Sequence, residues 1–306
     1  MRNTNVPNLV GINIGGTSTT IVSGSSAGTI DARIATPTDR TQRAEAAYAV
    51  MRAAIADLHT VPDAIGVAVG GPLDADAGIV LSAPHLPHLA GFPLAERLRA
   101  DFGVPVAVHH DAAACALAEY RWSADHGVRG LAYLTCGTGF GVGLVLDGRL
   151  RYGSGGRAPE IGHVRFRADG PDIFEKPGCY EGYGSANAIG LLARFHAPQT
   201  FAHATPTDVI AAAERGDHDA IAALDDNVAA VGSACALLVD LLALDVIVLG
   251  SLATYLGAPW ITRVRTAMDR EALPGYASRV TLRAPIDAVQ DRSALAAALD
   301  ALGEMA

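Results

Sequence analysis

Two short Gly-Thr loops, each set between two apolar strands, constrain this chain more than any other feature of its sequence. The first follows Leu9-Val10-Gly11-Ile12-Asn13-Ile14 as Gly15-Gly16-Thr17 and runs on into Ser18-Thr19-Thr20-Ile21-Val22. The second follows Leu131-Ala132-Tyr133-Leu134 as Thr135-Cys136-Gly137-Thr138-Gly139-Phe140-Gly141, then continues through Val142–Leu146 to an Asp147-Gly148 turn. Glycine at such a bend lets backbone amides approach an anion closely, because no Cβ stands in the way. A strand-loop-strand unit used twice predicts two similar half-molecules closing on one polyphosphate, hence a nucleotide-dependent phosphotransferase.

Other glycine-rich phosphate sites fit less well. A Walker loop needs Gly-Lys-Ser/Thr, and the single lysine, Lys176, is far from either loop. A dinucleotide fold needs Gly-x-Gly-x-x-Gly opening a helix. Here Gly137-Thr138-Gly139-Phe140-Gly141 opens onto Val142, Leu144 and Val145, a strand-like run. A pair of glycine-rich hairpin turns with no ligand remains the plain alternative.

With 306 residues, half of them hydrophobic, the chain is long enough for about two domains. Its net charge of -9 and lack of any basic run weigh against nucleic acid as a main partner. Cys115, Cys136, Cys179 and Cys235 are scattered, which fits reduced, buried thiols and a cytoplasmic location. Arg2-Asn3-Thr4-Asn5 leads straight into a short strand, unlike a signal peptide. The most apolar stretch, Ala236–Leu249, carries Asp240 and Asp245 and is too short for a bilayer, so no membrane partner is expected.

Periodicity predicts a βββαβαβα opening: a hairpin through Val22, a strand over 29–35, a helix from Asp39 to Leu58 capped by Thr38 or Asp39, and a strand over 65–69 ending at Gly70-Gly71-Pro72. A helix after Pro93 stops at Gly103, a strand covers 104–108, and a helix begins at Asp111. The second half repeats the opening hairpin, then holds an irregular stretch over 153–184. Helices follow over 186–195, 207–214 and 218–242, then a strand over 245–249 and a last helix over 293–302. The expected domains are 1–118, joined by the C-terminal helix 290–306, and 119–289.

Asp111 follows a strand and opens a helix, so it sits where ligands meet α/β sheets. An ordinary helix N-cap explains an aspartate there equally well. A hydroxyl attacking a γ-phosphate, however, needs a carboxylate to orient it and accept its proton, worth about 10²–10⁴ in rate.

Asn13-Ile14-Gly15-Gly16-Thr17, His110-Asp111-Ala112 with Ala116-Leu117-Ala118-Glu119, and Gly137-Thr138-Gly139 together resemble the ROK family of bacterial sugar kinases and repressors. Glu160-Ile161-Gly162-His163, Gly178-Cys179-Tyr180-Glu181 and Val246-Ile247-Val248-Leu249-Gly250 extend the likeness, in the family's order, over nearly the whole chain. The resemblance implies an α/β, two-domain actin-like ATPase (ribonuclease H-like) fold with an interdomain cleft where ATP, Mg2+ and a sugar meet. Family repressors add an N-terminal helix-turn-helix, whereas here the first phosphate strand starts within ten residues of Met1, which favours the kinase branch. A homodimer is also implied.

Carried over by motif, Asp111 becomes the base for the sugar's 6-hydroxyl, and Glu160, His163 and Glu181 hold the ring hydroxyls near C1 and C2. Gly71, in the turn after the 65–69 strand, is placed with the sugar. Asn13, Gly15, Gly16, Thr17, Gly137, Thr138 and Gly139 line the phosphates, and Gly250 passes under the adenosine. Solvated loop charges at Glu160 and Glu181, a structural histidine at His163 and a helix-strand corner at Gly250 are the alternatives.

Three departures from the family pattern matter. Asn13 stands where an aspartate assists magnesium through water, which leaves open a sugar-sensing regulator with weak catalysis. Asp172 and Phe174 replace two cysteines of the family's zinc loop, so no structural zinc is expected; packing around Phe174, Pro177 and Tyr180 would hold that loop. His85 and His110 stand where asparagines read C3 and C4. A neutral imidazole accepts a hydrogen bond from an amine, which points to an amino sugar such as kanosamine (3-amino-3-deoxyglucose), with glucose or another plain hexose as the alternative.

Overall fold

The computed structural model describes residues 6–81 and 86–303. Its first sheet is built on Leu9–Ile14 (β1), which pairs antiparallel with Ser18–Gly24 (β2); β2 pairs antiparallel with Ile30–Pro37 (β3). On its other side β1 pairs parallel with Ala64–Val69 (β4). A small hairpin follows, Leu73–Asp74 (β5) with Ile79–Val80 (β6). Val106–His110 (β7) then closes the sheet, parallel to β4. Helices Ala44–Asp57 (α1) and Leu94–Phe102 (α2) connect these strands, and Asp111–Trp122 (α3) leaves β7 directly.

The later elements are Gly130–Leu134 (β8), Val142–Leu146 (β9) and Arg149–Leu150 (β10), then the hairpin Asp172–Ile173 (β11) and Lys176–Pro177 (β12). Glu181–Gly184 (α4), Ala186–His196 (α5), Pro206–Glu214 (α6) and His218–Leu242 (α7) lead to Val246–Leu249 (β13). Leu252–Glu271 (α8), Pro274–Ala277 (α9), Thr281–Arg283 (β14) and Val289–Ala301 (α10) complete the chain. The sheet orders are β3-β2-β1-β4-β7 and β10-β9-β8-β13-β14. Numbered within each sheet, both read third, second, first, fourth, fifth. The duplicated loop grammar therefore extends to duplicated topology.

The chain divides into two compact units. One comprises 1–127, 143–159 and 286–306; the other comprises 128–142 and 160–285. The expected boundary at 118–119 falls within α3.

In the first unit one face of the sheet, with Val10, Ile12, Ile65, Val67 and Val108, packs against Tyr48 and Met51 of α1 and Leu94 and Leu98 of α2. The opposite face is covered by α10. There Leu9, Val22 and Ala64 meet Leu295, Ala298 and Leu299. Contact is so close that a Cβ on Gly66 would lie 2.1 Å from both Ala294 O and Ala298 N, and one on Gly11 would lie 2.7 Å from Ala294 Cβ. Glycines here are a packing requirement.

Three sequence expectations shift. The helix expected from Asp39 begins at Ala44, because Asp39 Oδ1 instead accepts from Thr41 N–H at 2.9 Å in a local turn; neither Thr38 nor Asp39 caps it. The strand expected over 104–108 lies at 106–110, which brings His109 and His110 into β7. Helix α8 had no counterpart in the periodicity, because Gly257, at φ 69°, and Pro259 interrupt its pattern. Helix α7 is long and apolar enough to cross a membrane by length and composition, but most of that window is buried. It packs against α5, α6 and α8 as a core helix.

Gly66→Ala is expected to destabilise the protein by the 1–3 kcal/mol, or about that, typical of overpacking, read as a lower urea midpoint. Gly275→Ala, where a Cβ meets nothing within 4 Å, serves as the control and should change little.

Candidate active site

Backbone bonds shape the first loop in the first unit. Gly15 N–H donates to Ser18 O, and Thr38 N–H donates to Thr17 O, both at 3.0 Å. Asn13, the last residue but one of β1, donates its Nδ2 to Gln290 O at 2.9 Å and Gln290 Oε1 at 3.2 Å. Its amide nitrogen is thus committed to α10, and the oxygen left to it is neutral. A hydrated Mg2+ held mainly by nucleotide phosphates needs few protein ligands, and an uncharged oxygen contacting its water shell suits that mode. Among the described residues no cluster of three or more His, Cys, Asp or Glu side chains could hold a metal by itself.

Asp111 stands at a tightly packed corner. It is the first residue of α3; the N-cap position belongs to His110, so the plain N-cap reading of Asp111 does not hold. Asp111 Oδ1 accepts from Ala112 N–H at 2.6 Å, and its side chain is 42% exposed, leaving the carboxylate accessible. His110 is buried, with Nδ1 3.2 Å from Asp111 Oδ1 but without an aligned hydrogen bond. A Cβ on Gly71 would come 2.7 Å from His110 Cδ2, so Gly71 and His110 lie together. Gly143 of β9 meets the first turn of α3 just as closely: a Cβ there would be 2.0 Å from Ala112 O. Glu119, in the motif that follows, is fully buried and accepts Ile286 N–H at 2.8 Å, a structural role. His85 lies outside the described residues.

In the second unit, Thr135–Gly141 is a closed turn. The carbonyls of Gly137, Thr138, Gly139 and Gly141 are taken by Ala186 N–H, Asn187 Nδ2, Gly137 N–H and Thr135 N–H. The amides of Thr135, Gly137, Phe140 and Gly141 also donate within the fold, to Gly141 O, Gly139 O, Glu181 Oε2 and Thr135 Oγ1, so the N–H groups of Cys136, Thr138 and Gly139 are the loop's polar offering to an anion. Glu181 connects this turn to the 160–163 motif. Its Oε2 accepts Phe140 N–H at 3.1 Å and lies 3.0 Å from the Cβ position of Gly139 and 3.4 Å from that of Gly162. A Cβ on Gly162 would lie 2.2 Å from Phe140 O, which explains the glycine in Glu160-Ile161-Gly162-His163. Gly250 approaches Thr135 O and Tyr133 Oη at 2.6 and 2.7 Å from its Cβ position, and Ser251 Oγ stands 2.9 Å from that of Gly137. Residues assigned to phosphate and to adenosine are therefore neighbours. Glu160 and His163 are exposed.

Around Phe174, β11 and β12 form a hairpin whose turn residues, Phe174 and Glu175, both have positive φ (55° and 59°). Phe174 stacks on His163 with ring centroids 5.2 Å apart. Lys176 Nζ donates to His163 O, and Arg165 Nη1 donates to Pro177 O at 2.9 Å. Tyr180 stacks on Phe166 and bonds Ser233. An aromatic stack and two cationic donors do the holding.

A family model described as the ROK family matches residues 9–298. The chain belongs to the ROK family. It is 29% identical over 298 residues to a glucokinase of Halalkalibacterium halodurans, covering 90% of this chain and 89% of that protein. It is 27% identical over 242 residues to a xylose repressor of Caldicellulosiruptor bescii, covering 75% of this chain and 59% of the repressor. The solved structure of a ROK family glucokinase from Streptomyces griseus, in complex with glucose and AMPPNP, matches with a TM-score of 0.79 at 25% identity, over 95% of this chain and 98% of that one. The ROK chain described here accordingly has the α/β, two-domain actin-like ATPase fold.

Sequence reasoning missed His109, Tyr152 and Asp300. His109 is buried in β7 with both ring nitrogens paired, to Tyr152 Oη and Asp300 Oδ2. The available signal was a polar residue inside a buried strand, which must find partners.

Asn13→Asp would turn a carboxylate oxygen toward Gln290 O in place of a donor. A loss of about 0.5–1.5 kcal/mol in urea unfolding is expected, the scale of one hydrogen bond.

Proposed function

We propose that this protein is an ATP-dependent sugar kinase that phosphorylates the 6-hydroxyl of a hexose, with Asp111 as the base. The observation that carries this reading is the Asp111 corner: an accessible carboxylate at the carboxyl end of a buried parallel strand, with glycine contacts packing the backbone around it. Asp111 orients the hydroxyl and accepts its proton as O6 bonds to the γ-phosphorus; the bond to the β,γ-bridging oxygen breaks and ADP leaves. Glu160, His163 and Glu181 accept hydrogen bonds from sugar hydroxyls, and a sugar lacking one would leave a partner unpaired. Gly15, Gly16 and Thr17 of one loop and Gly137, Thr138 and Gly139 of the other take the phosphates, with Gly250 beside the adenosine. Asn13 would face the water shell of a Mg2+ ion brought by ATP, and that ion would supply neutralisation of phosphate charge. ATP use is supported by the AMPPNP held by the Streptomyces griseus glucokinase.

The proposed substrate class is an amino-substituted glucose, 3-amino-3-deoxyglucose being the leading case and glucose the next. His110 supports it: an imidazole stands beside Asp111 and Gly71, with Nδ1 3.2 Å from Asp111 Oδ1. Asn13 and the likeness to a xylose repressor favour a second reading, a sugar-responsive regulator with weak catalysis. A cytoplasmic homodimer belongs to the same proposal.

A coupled assay of ADP release over hexoses and aminohexoses separates these readings. Turnover, highest with the amino sugar, is expected; tight sugar binding with no turnover would establish the regulator. Asp111→Asn should retain sugar binding and lose at least about 10²-fold in kcat, as removal of a general base does. Near-normal kcat would refute its role. His110→Asn should shift preference toward glucose, and an unchanged ratio of kcat/KM values would eliminate the imidazole argument.

A further inference from the structure

Strand β7 ends in two histidines, which the two-residue period of a strand sends to opposite faces. His110 shares its side with Val106 and Val108. His109 faces α10, where Asp300 Oδ2 lies 2.8 Å from Nε2 and Tyr152 Oη 3.0 Å from Nδ1. The His109 and Tyr152 rings stack with centroids 5.7 Å apart, and Tyr152 Oη also accepts His110 N–H at 3.3 Å.

Counting donors and acceptors assigns the protons. A carboxylate has none to give, so His109 Nε2 carries the hydrogen and donates to Asp300. With that single ring proton, Nδ1 accepts the phenol proton of Tyr152, and the phenol oxygen remains an acceptor for His110 N–H. Burial, with Asp300, Asp111 and Asp76 nearby, raises the Tyr152 pKa above its ordinary value, so the phenol keeps that proton. This arrangement of protons satisfies every partner.

We propose that Asp300, His109 and Tyr152 are positioning residues that hold the Asp111 corner in place for phosphoryl transfer; this rests on Asp111 being the base. Their hydrogen-bond chain ends on the peptide N–H immediately before Asp111. Its other end is on α10, the helix that also anchors Asn13 through Gln290. Gln290 and Asp300 are ten residues apart on that helix, about 15 Å at 1.5 Å per residue. One rigid rod thus sets the position of the phosphate-loop strand and of the base strand together. Misplacement of a base by about 1 Å can cost 10²-fold in rate, so such bracing affects turnover rather than binding.

The test compares three variants with wild type. Tyr152→Phe keeps the ring and its stack but removes the oxygen; Asp300→Ala removes the acceptor; Asp300→Asn keeps a neutral acceptor. Tyr152→Phe and Asp300→Ala should each lower kcat about 10-fold while KM for sugar and ATP stays within about twofold, and Asp300→Asn should keep at least about half of kcat. A merely structural role would move KM with kcat and would not be rescued by asparagine. Variants with unchanged kcat beside an active wild type would overturn this proposal alone. A wild type inactive on every sugar would overturn the kinase reading and this proposal with it. In the apoprotein, nitrogen chemical shifts of His109 should report the neutral Nε2–H tautomer at neutral pH; a doubly protonated ring would overturn the chain of bonds.

Discussion

Helix α10 lies on the first sheet at backbone contact, and the architecture of that unit depends on this approach. Gly11 and Gly66, opposite each other in the β1–β4 pairing, are what let it come so near. Ala294, Ala297 and Ala298 complete the fit from the helix side. A helix pressed this close becomes part of the sheet's framework. It carries Asp291, which bonds Thr20 and Arg33, as well as Gln290 and Asp300. The last helix in sequence is therefore tied to strands β1, β2, β3 and β7.

The second unit solves a similar problem with a carboxylate. Glu181 joins the 135–141 turn to the 160–163 segment by accepting one amide and filling the space that Gly139 and Gly162 leave open. The irregular segment around it is stiffened by Tyr180, Phe166 and the His163–Phe174 stack. Cation-to-carbonyl bonds from Arg165 and Lys176 close the small hairpin.

Much of the fold was legible because the strongest signals are local. Loop glycines between apolar runs, the stop at Gly103 and the unbroken period of α7 all act within a few residues. The misses have identifiable physical causes. Asp39 spent its oxygen on a turn, delaying α1. Pro105 led the strand expectation astray by two residues, since β7 begins only after it. Gly257 and Pro259 hid α8, whose stability comes from packing on α7. Hardest to read was the pairing of His109 with Tyr152 and Asp300, because its partners lie 43 and 191 residues away. The residues proposed to carry the chemistry stand in recognisable motifs; the groups proposed to brace them do not.

The central claim is that a single carboxylate, braced by the packing of its strand and helix, faces the hydroxyl to be phosphorylated. Its most direct test is a crystal structure with a hexose and a non-hydrolysable ATP analogue. The account predicts an Asp111 carboxylate oxygen within hydrogen-bond distance of the sugar's 6-hydroxyl, in line with the γ-phosphorus. A 6-hydroxyl bound to some other group, with Asp111 turned to solvent, would contradict it.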